Sequence, residues 1–384
     1  MPLPDPTGPH RVGVIEADVP APTDAGVVPV VVYYPATDEP DAPPSTALCG
    51  ATSSEPEQLR WLDARYAAAL GKSHLTGTLG AWSAGALMGN LGPAATNYEV
   101  VRAAVGADAK PPPVNGWPVA VFSHSLTGWR HVNSSLCAEL ASHGAVVIHM
   151  EHADGTACLC TSSEDGRVLA EYVDWAREKT DELKQKTDDV GAALEAWRRA
   201  QVDRRVVEIT SALDGLETVV RRVHRGGAFA RTASNVAVMG QSFGGAAAVA
   251  CLRESRFSQC CIYDPWLDGV GPHRHPLPDA DYQGKFSPAL KRLALWSCGA
   301  SPLQESCGAN WDSILAKAGS VGVRHHEAEA GHFAQTDAPV VFEKGPLSSI
   351  YTALVSKADQ SSDSETLLRR CLEQTVAELS SLYA

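Results

Sequence analysis

The chain has 384 residues, of which 44% are hydrophobic and 20% are charged, and its formal net charge is -13 at pH 7. This length and composition allow a large buried core, so we expect a globular protein. The negative charge disfavours nucleic acid as a partner because phosphates would be repelled, and it is equally unfavourable for an anionic membrane surface.

The chain lacks the sequence patterns of exported and metal-binding proteins. Residues 1–6 contain no basic region followed by an apolar run, so no secretory signal is visible. Several of the ten cysteines lie in apolar runs, where free cysteines act as small buried hydrophobes: Cys251, Cys260, Cys261 and Cys298. We therefore expect a reducing, cytoplasmic environment. No cysteine or histidine pair has zinc-site spacing, and no phosphate-binding glycine loop follows a strand, so we expect neither metal nor cofactor.

The valine-rich stretch 12–34 opens the predicted α/β sheet. Its run 27–34 favours an edge strand, because Pro29 lacks the N–H that an inner strand uses. Residues 38–54 are rich in proline, serine and alanine, which predicts a surface loop. Residues 75–98 carry no formal charge and predict a packed core helix. A helix that lies on a membrane or lines an acyl pocket is the alternative.

Strands and helices alternate in the rest of the chain. Residues 117–124 and 144–150 predict short buried strands with a helix between them, which implies a parallel sheet with right-handed crossovers. Residues 165–225 predict a long helical insertion whose charges form a solvated face and which is a candidate cap over the site. Residues 293–298 predict a late core strand, and 365–382 a closing amphipathic helix.

The stretch 236–247, VAVMGQSFGGAA, predicts a nucleophile elbow. It consists of an apolar strand, a turn with glycines on both sides of Ser242, and a helix start rich in small residues. Gly240 and Gly244 are needed where a Cβ would collide with the neighbouring strand and helix. Such a turn exposes the serine hydroxyl over the positive end of a helix. For so short a motif, a glycine-rich turn of a nucleotide-binding sheet is the alternative.

A serine nucleophile needs a histidine base, and in α/β-hydrolases the chain order is serine, acid, histidine. His332 is the predicted base because it lies in a late glycine-containing turn, 330–333, which lets the imidazole reach back over the sheet. The other histidines after Ser242 lie in polar surroundings typical of surface loops: His273, His275, His325 and His326.

Asp264 is the predicted acid. It ends the strand-like run 260–263, and a carboxylate at the carboxyl end of a parallel strand faces the ligand crevice. Asp312, Glu305 and the weaker Asp268 are alternative acids. A role as a helix cap is the alternative for Asp264 itself.

Ester hydrolysis also requires N–H groups that stabilise the developing oxyanion. The amide of Phe243 is one predicted donor, because it follows the nucleophile. The second should come from the loop 123–128, where Leu126 is the predicted donor.

Taken together, these motifs resemble the platelet-activating factor acetylhydrolases of the lipoprotein-associated and intracellular type II kind. The resemblance covers residues 9–342 in a consistent order. It is carried by segments 119–126, 140–144, 151–154, 240–245, 263–266 and 331–335, and segments 33–35 and 201–213 are also similar. It implies one α/β-hydrolase catalytic domain over residues 1–384, with a mostly parallel central sheet, helices on both faces and a helical insertion at about 165–225 before the elbow.

The resemblance implies a calcium-independent serine esterase that removes acetyl, short or oxidised acyl groups from the sn-2 position of glycerophospholipids. Ser242, Asp264 and His332 fall on the triad positions, and Leu126 and Phe243 on the oxyanion donors. We therefore expect a phospholipid substrate; peripheral membrane contact and the oligomeric state stay open. A general carboxylesterase for soluble short-chain esters and an inactive hydrolase-fold lipid-binding protein are the alternatives.

Three residues depart from the family pattern. Gln241 stands where histidine is usual, Ser125 where glycine is usual, and Ala153 where arginine is usual. We expect Gln241 to leave the chemistry intact because its side chain points away from the nucleophile. Ser125 adds a Cβ to the oxyanion loop, which could shift the Leu126 amide.

Overall fold

The computed structural model describes residues 3–37, 60–74, 104–105, 109–113, 116–223, 236–267, 286–343 and 363–380. Its strands are β1 (Arg11–Pro20), β2 (Val27–Ala36), β3 (Ala104–Val105), β4 (Val119–Ser123), β5 (Val146–Met150), β6 (Leu159–Thr161), β7 (Val168–Glu171), β8 (Val236–Gln241), β9 (Phe257–Tyr263), β10 (Arg292–Cys298) and β11 (Gly322–Glu327). Its α-helices are α1 (Ala64–His74), α2 (Ser134–Ser142), α3 (Thr180–Lys184), α4 (Val190–Val220), α5 (Phe243–Cys251), α6 (Leu303–Ala318), α7 (Ala338–Glu343) and α8 (Ser364–Glu378). A π-helical turn, Trp175–Lys179, precedes α3, and a 3₁₀ turn, Gly319–Val321, follows α6.

Nine strands form one sheet in the order β11-β10-β9-β8-β4-β5-β2-β1-β3. From β11 to β5 all neighbours are parallel, whereas β2 is antiparallel to both β5 and β1. Helices α4, α5 and α6 contribute to the core on one face, and α1, α2, α7 and α8 to the core on the other. Strands β4, β5 and β8 are buried along their whole length, as parallel strands covered on both faces should be. The predicted fold class is confirmed.

Strand β2 lies inside the sheet, so the prediction that residues 27–34 form an edge strand is wrong. Pro29 lies just before the first pair of the β2–β5 ladder, Val30 with Met150. Its carbonyl accepts the N–H of Glu151 (2.9 Å). The N–H and C=O of a strand residue point to the same side, so an N–H at position 29 would also point toward β5. Position 29 lies at the end of the β2–β5 ladder, and the missing N–H of proline therefore leaves the ladder itself intact. An inner strand tolerates proline at such a position.

The region 165–225 is only partly the solvated helical segment that the sequence predicts. Helix α4 confirms the helix, but residues 168–171 form strand β7, which pairs with β6. The apolar side chains of α4 in the core are Val202, Ile209, Ala212, Leu213, Leu216, Val219 and Val220. Arg198, Arg205 and Glu208 of this helix are buried as well. The charges of α4 therefore do not all form a solvated face.

The remaining predicted elements have mixed outcomes. Strand β10 confirms the late core strand at 293–298, and α8 confirms the closing helix, although it ends at Glu378 rather than at residue 382. Residues 38–54 and 75–98 lie outside the described residues. The cysteines of the described ranges are all free and buried, as their apolar surroundings predict. No helix in the described part of the chain has both the length and the apolar character needed to cross a membrane.

Gly215 on α4 approaches β1 so closely that a Cβ there would collide with Val19 Cγ1. We expect Gly215→Ala to lower the free energy of unfolding by about 1 kcal/mol, because overpacking costs about 1–3 kcal/mol and alanine returns up to about 1 kcal/mol of helix propensity. In a Val19→Ala background the new methyl group has room, so the same substitution should raise the free energy of unfolding. Urea unfolding of the four proteins tests this, and the same sign in both backgrounds would contradict the contact.

Candidate active site

Ser242 lies in a tight turn between β8 and α5. Its φ of 55° and ψ of -119° belong to a backbone conformation that is strained for a residue with a Cβ. A Cβ at Gly240 would collide with the Gly244 backbone, and a Cβ at Gly244 with the carbonyl of Ser123. Glycine at both positions therefore lets β8, α5 and the end of β4 approach closely. This strand, serine and helix arrangement is that of a nucleophile elbow.

The turn after β8 and the loop after β9 are fixed to each other. The two strands are in parallel register up to the pair Gln241 and Tyr263. The Ser242 N–H donates to the Tyr263 carbonyl (2.9 Å), and the Ser242 carbonyl accepts the N–H of Trp266 (3.0 Å). The residue that follows β9, Asp264, is thereby held beside the elbow.

The fully buried carboxylate of Asp264 contacts the imidazole of His332. Its Oδ2 lies 2.6 Å from His332 Nδ1 and also accepts the Ser301 hydroxyl (2.5 Å), while its Oδ1 accepts the N–H of Cys298 (3.0 Å). A buried carboxylate with three such partners is satisfied. The contact fixes the orientation of the imidazole and makes Nδ1 the protonated nitrogen, which leaves Nε2 to act as a base.

Gln241 supports the turn that carries His332. Its Nε2 donates to the His332 carbonyl (3.0 Å). The sequence predicts only that this side chain points away from the nucleophile and does not reveal the contact. The side chain of Gln241 therefore helps to position His332 by binding the backbone of that histidine.

The alternative site residues have other partners. Asp312 is exposed and pairs with Arg324 (3.0 Å), and Glu305 is an exposed residue in the first turn of α6. His325 contacts Glu378 (2.8 Å) and His326 contacts Ser297 (2.9 Å). Asp268, His273 and His275 lie outside the described residues. Of the alternatives in the described ranges, none contacts His332.

The two predicted oxyanion donors lie in neighbouring segments. Phe243 is the first residue of α5. Leu126 lies in the loop after β4, whose Thr127 N–H donates to the Thr156 carbonyl (2.7 Å). The start of this loop touches α5, because the carbonyls of Ser123 and His124 lie against Gly244. Leu126 and Phe243 stay predicted donors.

A buried polar network, which we call the Arg205 network, lies beneath this loop. Arg205 donates to Asp154 (2.9 Å), to the His124 carbonyl (2.6 Å) and to Thr156 Oγ1. It also donates to Ser123 Oγ (3.2 Å). Its contacts with the chain before and after Leu126 hold the predicted oxyanion loop in place. The sequence singled out no role for Arg205, although its position on the apolar face of α4 is a signal.

A second chain of hydrogen bonds joins this network to α4. His152 lies between Ser123 Oγ (2.8 Å from Nε2) and Glu208 Oε2 (2.6 Å from Nδ1). The three residue types match those of a catalytic triad. All three side chains are fully buried, however, which favours a structural role. This chain of hydrogen bonds supports the end of β4.

Burial and charge set the ionisation of these groups in different ways. Burial alone would raise the pKa of Asp154, but the Arg205 guanidinium outweighs it and the pKa lies well below its ordinary value. Burial raises the pKa of Glu208 to about 8 and lowers the pKa of His152. The network thus holds one ionised pair, Arg205 with Asp154, beside a neutral imidazole. In the described ranges, no group of three or more histidine, cysteine or acidic side chains could hold a metal ion.

Sequence comparisons connect the chain to one family. The sequence model of the family described as "Platelet-activating factor acetylhydrolase, isoform II" matches residues 2–277. The platelet-activating factor acetylhydrolase of Cavia porcellus is 29% identical over 174 residues, which cover 41% of this chain and 37% of that protein. The protein of the same name from Canis lupus familiaris is 30% identical over 182 residues, covering 43% and 37%. The matches thus span little more than a third of these relatives.

A structural comparison supports the fold. The ferulic acid esterase from Streptomyces cinnamoneus superposes with a TM-score of 0.59 over 99% of this chain and 94% of that one, at 18% sequence identity. At this identity the likeness concerns the fold, which is that of the α/β-hydrolases.

The close packing of the elbow predicts different costs for two glycine substitutions. Gly244→Ala should lower the free energy of unfolding by about 2–3 kcal/mol, because its Cβ meets the backbone of Ser123, which cannot move aside as a side chain would. Gly308→Ala, in a helix where the new Cβ would only reach van der Waals contact with the Gln304 side chain (3.5 Å), should be neutral or stabilising by up to about 1 kcal/mol. Denaturant unfolding measures both. Equal effects at the two positions would mean that the elbow is not closely packed.

Proposed function

The chain belongs to the platelet-activating factor acetylhydrolase isoform II family, and we propose that it hydrolyses the sn-2 acetyl or short-chain ester of glycerophospholipids. Family and fold make it a carboxylic ester hydrolase. The observation that supports a serine-ester mechanism is the 2.6 Å contact between Asp264 and His332 beside the elbow of Ser242, and the match to the family supports the phospholipid substrate. The same segments carry the resemblance to phospholipid acetylhydrolases.

The proposed reaction is a two-step acyl transfer. Nε2 of His332 takes the Ser242 proton while the serine oxygen attacks the sn-2 carbonyl carbon. The amides of Leu126 and Phe243 stabilise the oxyanion of the tetrahedral intermediate. The imidazolium then gives its proton to the leaving oxygen, and the lysophospholipid departs from the acyl-serine.

Water completes the cycle. His332 takes a proton from a water molecule, whose oxygen attacks the acyl carbon, and the acyl-serine bond breaks with return of the proton to Ser242. Asp264 accepts the hydrogen bond from Nδ1 and stabilises the imidazolium in both steps. Because backbone N–H groups stabilise the oxyanion in this scheme, no step calls for a cation, and we propose that the reaction is independent of calcium.

The substrate class is tested with 1-alkyl-2-acetyl-glycerophosphocholine and its long-chain sn-2 analogue, with calcium chelated. We expect rapid release of acetate, little action on the long chain, and no turnover by Ser242→Ala. Hydrolysis of a soluble acetyl ester without action on the phospholipid would favour a general carboxylesterase. No hydrolysis and no labelling of Ser242 by a fluorophosphonate would favour an inactive lipid-binding protein.

The role of Asp264 is tested by Asp264→Asn, with Asp312→Asn as the matched control. Because asparagine cannot stabilise the imidazolium or hold the required tautomer, we expect kcat on the acetyl ester to fall by about 10⁴-fold. Asp312 pairs with Arg324 away from His332, so its variant should keep full activity. Steady-state kinetics, with thermal unfolding to verify folding, make the comparison. A kcat for Asp264→Asn within a few-fold of wild type would remove this residue from the triad.

A further inference from the structure

We infer that Arg198 is a binding site for an anionic group of the substrate, carried on the same molecule as the ester that Ser242 attacks. The inference rests on the proposed function and extends it, because it concerns an anionic group of the substrate that the triad does not contact. The cluster around Arg198, which we call the aromatic cage, consists of Trp175, Trp197, Phe243 and Trp266.

The guanidinium of Arg198 is enclosed but only partly satisfied. The residue is 3% exposed, and its carbon Cζ lies 4.6–5.6 Å from the four ring centroids. Its Nη1 donates to Gln201 Oε1 (2.8 Å). Nε and Nη2 have no hydrogen-bond partner within the described residues. A buried cation with unused donors is unfavourable unless a ligand or function accounts for it.

Arg205 provides an internal comparison. It lies two turns further along the same face of α4 and also stacks on Phe243, at 4.7 Å from the ring centroid. All its nitrogens have partners, including an ion pair with Asp154 (2.9 Å). Aromatic stacking therefore does not by itself leave an arginine of this helix with unused donors. Arg198 differs in having no carboxylate partner in the described part of the chain.

The aromatic cage lies beside the nucleophile. Phe243 follows Ser242 directly, and the Trp266 N–H donates to the Ser242 carbonyl (3.0 Å). Helix α4 leads into β8 as the crossover of a parallel sheet, so it runs antiparallel to β8. Its first half, which carries Arg198, therefore lies toward the carboxyl ends of the strands, where Ser242 and Asp264 stand.

The chemistry of the donors identifies the ligand class. A guanidinium with adjacent free N–H groups binds a phosphate or carboxylate through two parallel hydrogen bonds. In a short-chain phospholipid the anion is either the headgroup phosphodiester or a carboxylate at the end of an oxidised sn-2 chain. Trp175, Trp197 and Trp266 are each partly exposed, so the aromatic cage borders solvent. The inference requires one of these rings to rotate when either group binds the guanidinium.

The test uses Arg198→Gln and Arg198→Lys on pairs of substrates that share the acetyl ester. The pair for the phosphodiester is 1-alkyl-2-acetyl-glycerophosphocholine and 1-alkyl-2-acetyl-glycerol. The quantity measured is the ratio of kcat/KM for the charged member to kcat/KM for the neutral member. We expect Arg198→Gln to lower this ratio by about 10- to 100-fold, as loss of a charge-assisted hydrogen bond predicts. Arg198→Lys keeps the positive charge but lacks the two parallel N–H donors, so its ratio should lie between those of wild type and Arg198→Gln.

Arg199→Gln is the matched control, because Arg199 is the next residue of α4 and pairs with Glu195 at the helix surface. It should leave the ratio unchanged. An equal fall of kcat/KM on both members in Arg198→Gln would indicate a structural role and overturn the inference. Ratios that stay unchanged both for this pair and for the pair that tests the acyl carboxylate would overturn it as well. Arg198→Lys retains the aliphatic stem and decides the matter if Arg198→Gln does not fold.

Two further pairs of substrates serve two purposes. One distinguishes between the two possible anions, and the other tests the anion site independently of the proposed function. The first pair consists of phospholipids whose short sn-2 chain ends either in a carboxylate or in a methyl group. In Arg198→Gln, the ratio of kcat/KM for the carboxylate substrate to kcat/KM for the methyl substrate should fall only if the carboxylate binds Arg198. If wild type does not cleave phospholipids, the proposed function fails. The pair 4-acetoxybenzoate and phenyl acetate then still tests Arg198, because both are soluble acetyl esters. A ratio for this pair unaffected by Arg198→Gln would remove the anion site as well.

Discussion

The buried carboxylate of Asp264 is the group on which the candidate site depends. A buried carboxylate without partners would be strongly destabilising. This one accepts hydrogen bonds from Cys298, Ser301 and His332, which lie at the end of β10, in the turn after it and in the turn after β11. Three neighbouring segments must therefore keep their parallel register for the charge to be satisfied. The same register fixes the Ser242 turn, so the contacts that stabilise the charge also set the geometry for chemistry.

Helix α4 connects the core to the site through two arginines. Positions 198, 202, 205, 209, 212 and 216 recur at helical spacing, and all are buried. Arg198 and Arg205 occupy places on this face that would ordinarily be apolar, and both stack on Phe243. Arg205 directs its donors to the loop after β4 and thereby supports the predicted oxyanion loop. Arg198 lies one heptad closer to the edge where Ser242 stands and keeps two donors unused.

The sequence predicts what local patterns and chain order determine. The elbow follows from glycines around Ser242, and the pairing of Asp264 with His332 follows from their order after it and from the resemblance. The interior position of β2 was missed, since strand order depends on contacts between segments far apart in the chain. The buried arginines of α4 were also missed, because its many charges indicate a solvated face. Yet Arg198 and Arg205 recur with the period of the apolar residues, and that spacing is the signal to look for.

Backbone strain in the described ranges is concentrated at the site. Thr127, Ser242 and Asp264 are the non-glycine residues there with positive φ, at 57°, 55° and 41°. Each lies in a different loop: the predicted oxyanion loop, the elbow and the loop of the predicted acid. Their N–H groups donate at 2.7–2.9 Å to the carbonyls of Thr156, Tyr263 and Trp296 respectively. Strained conformations of about 1–3 kcal/mol each persist only where surrounding contacts over-determine them. These contacts favour a single arrangement of the loops before substrate binds, and the predicted donors, if fixed in this way, need no reorganisation when an oxyanion forms.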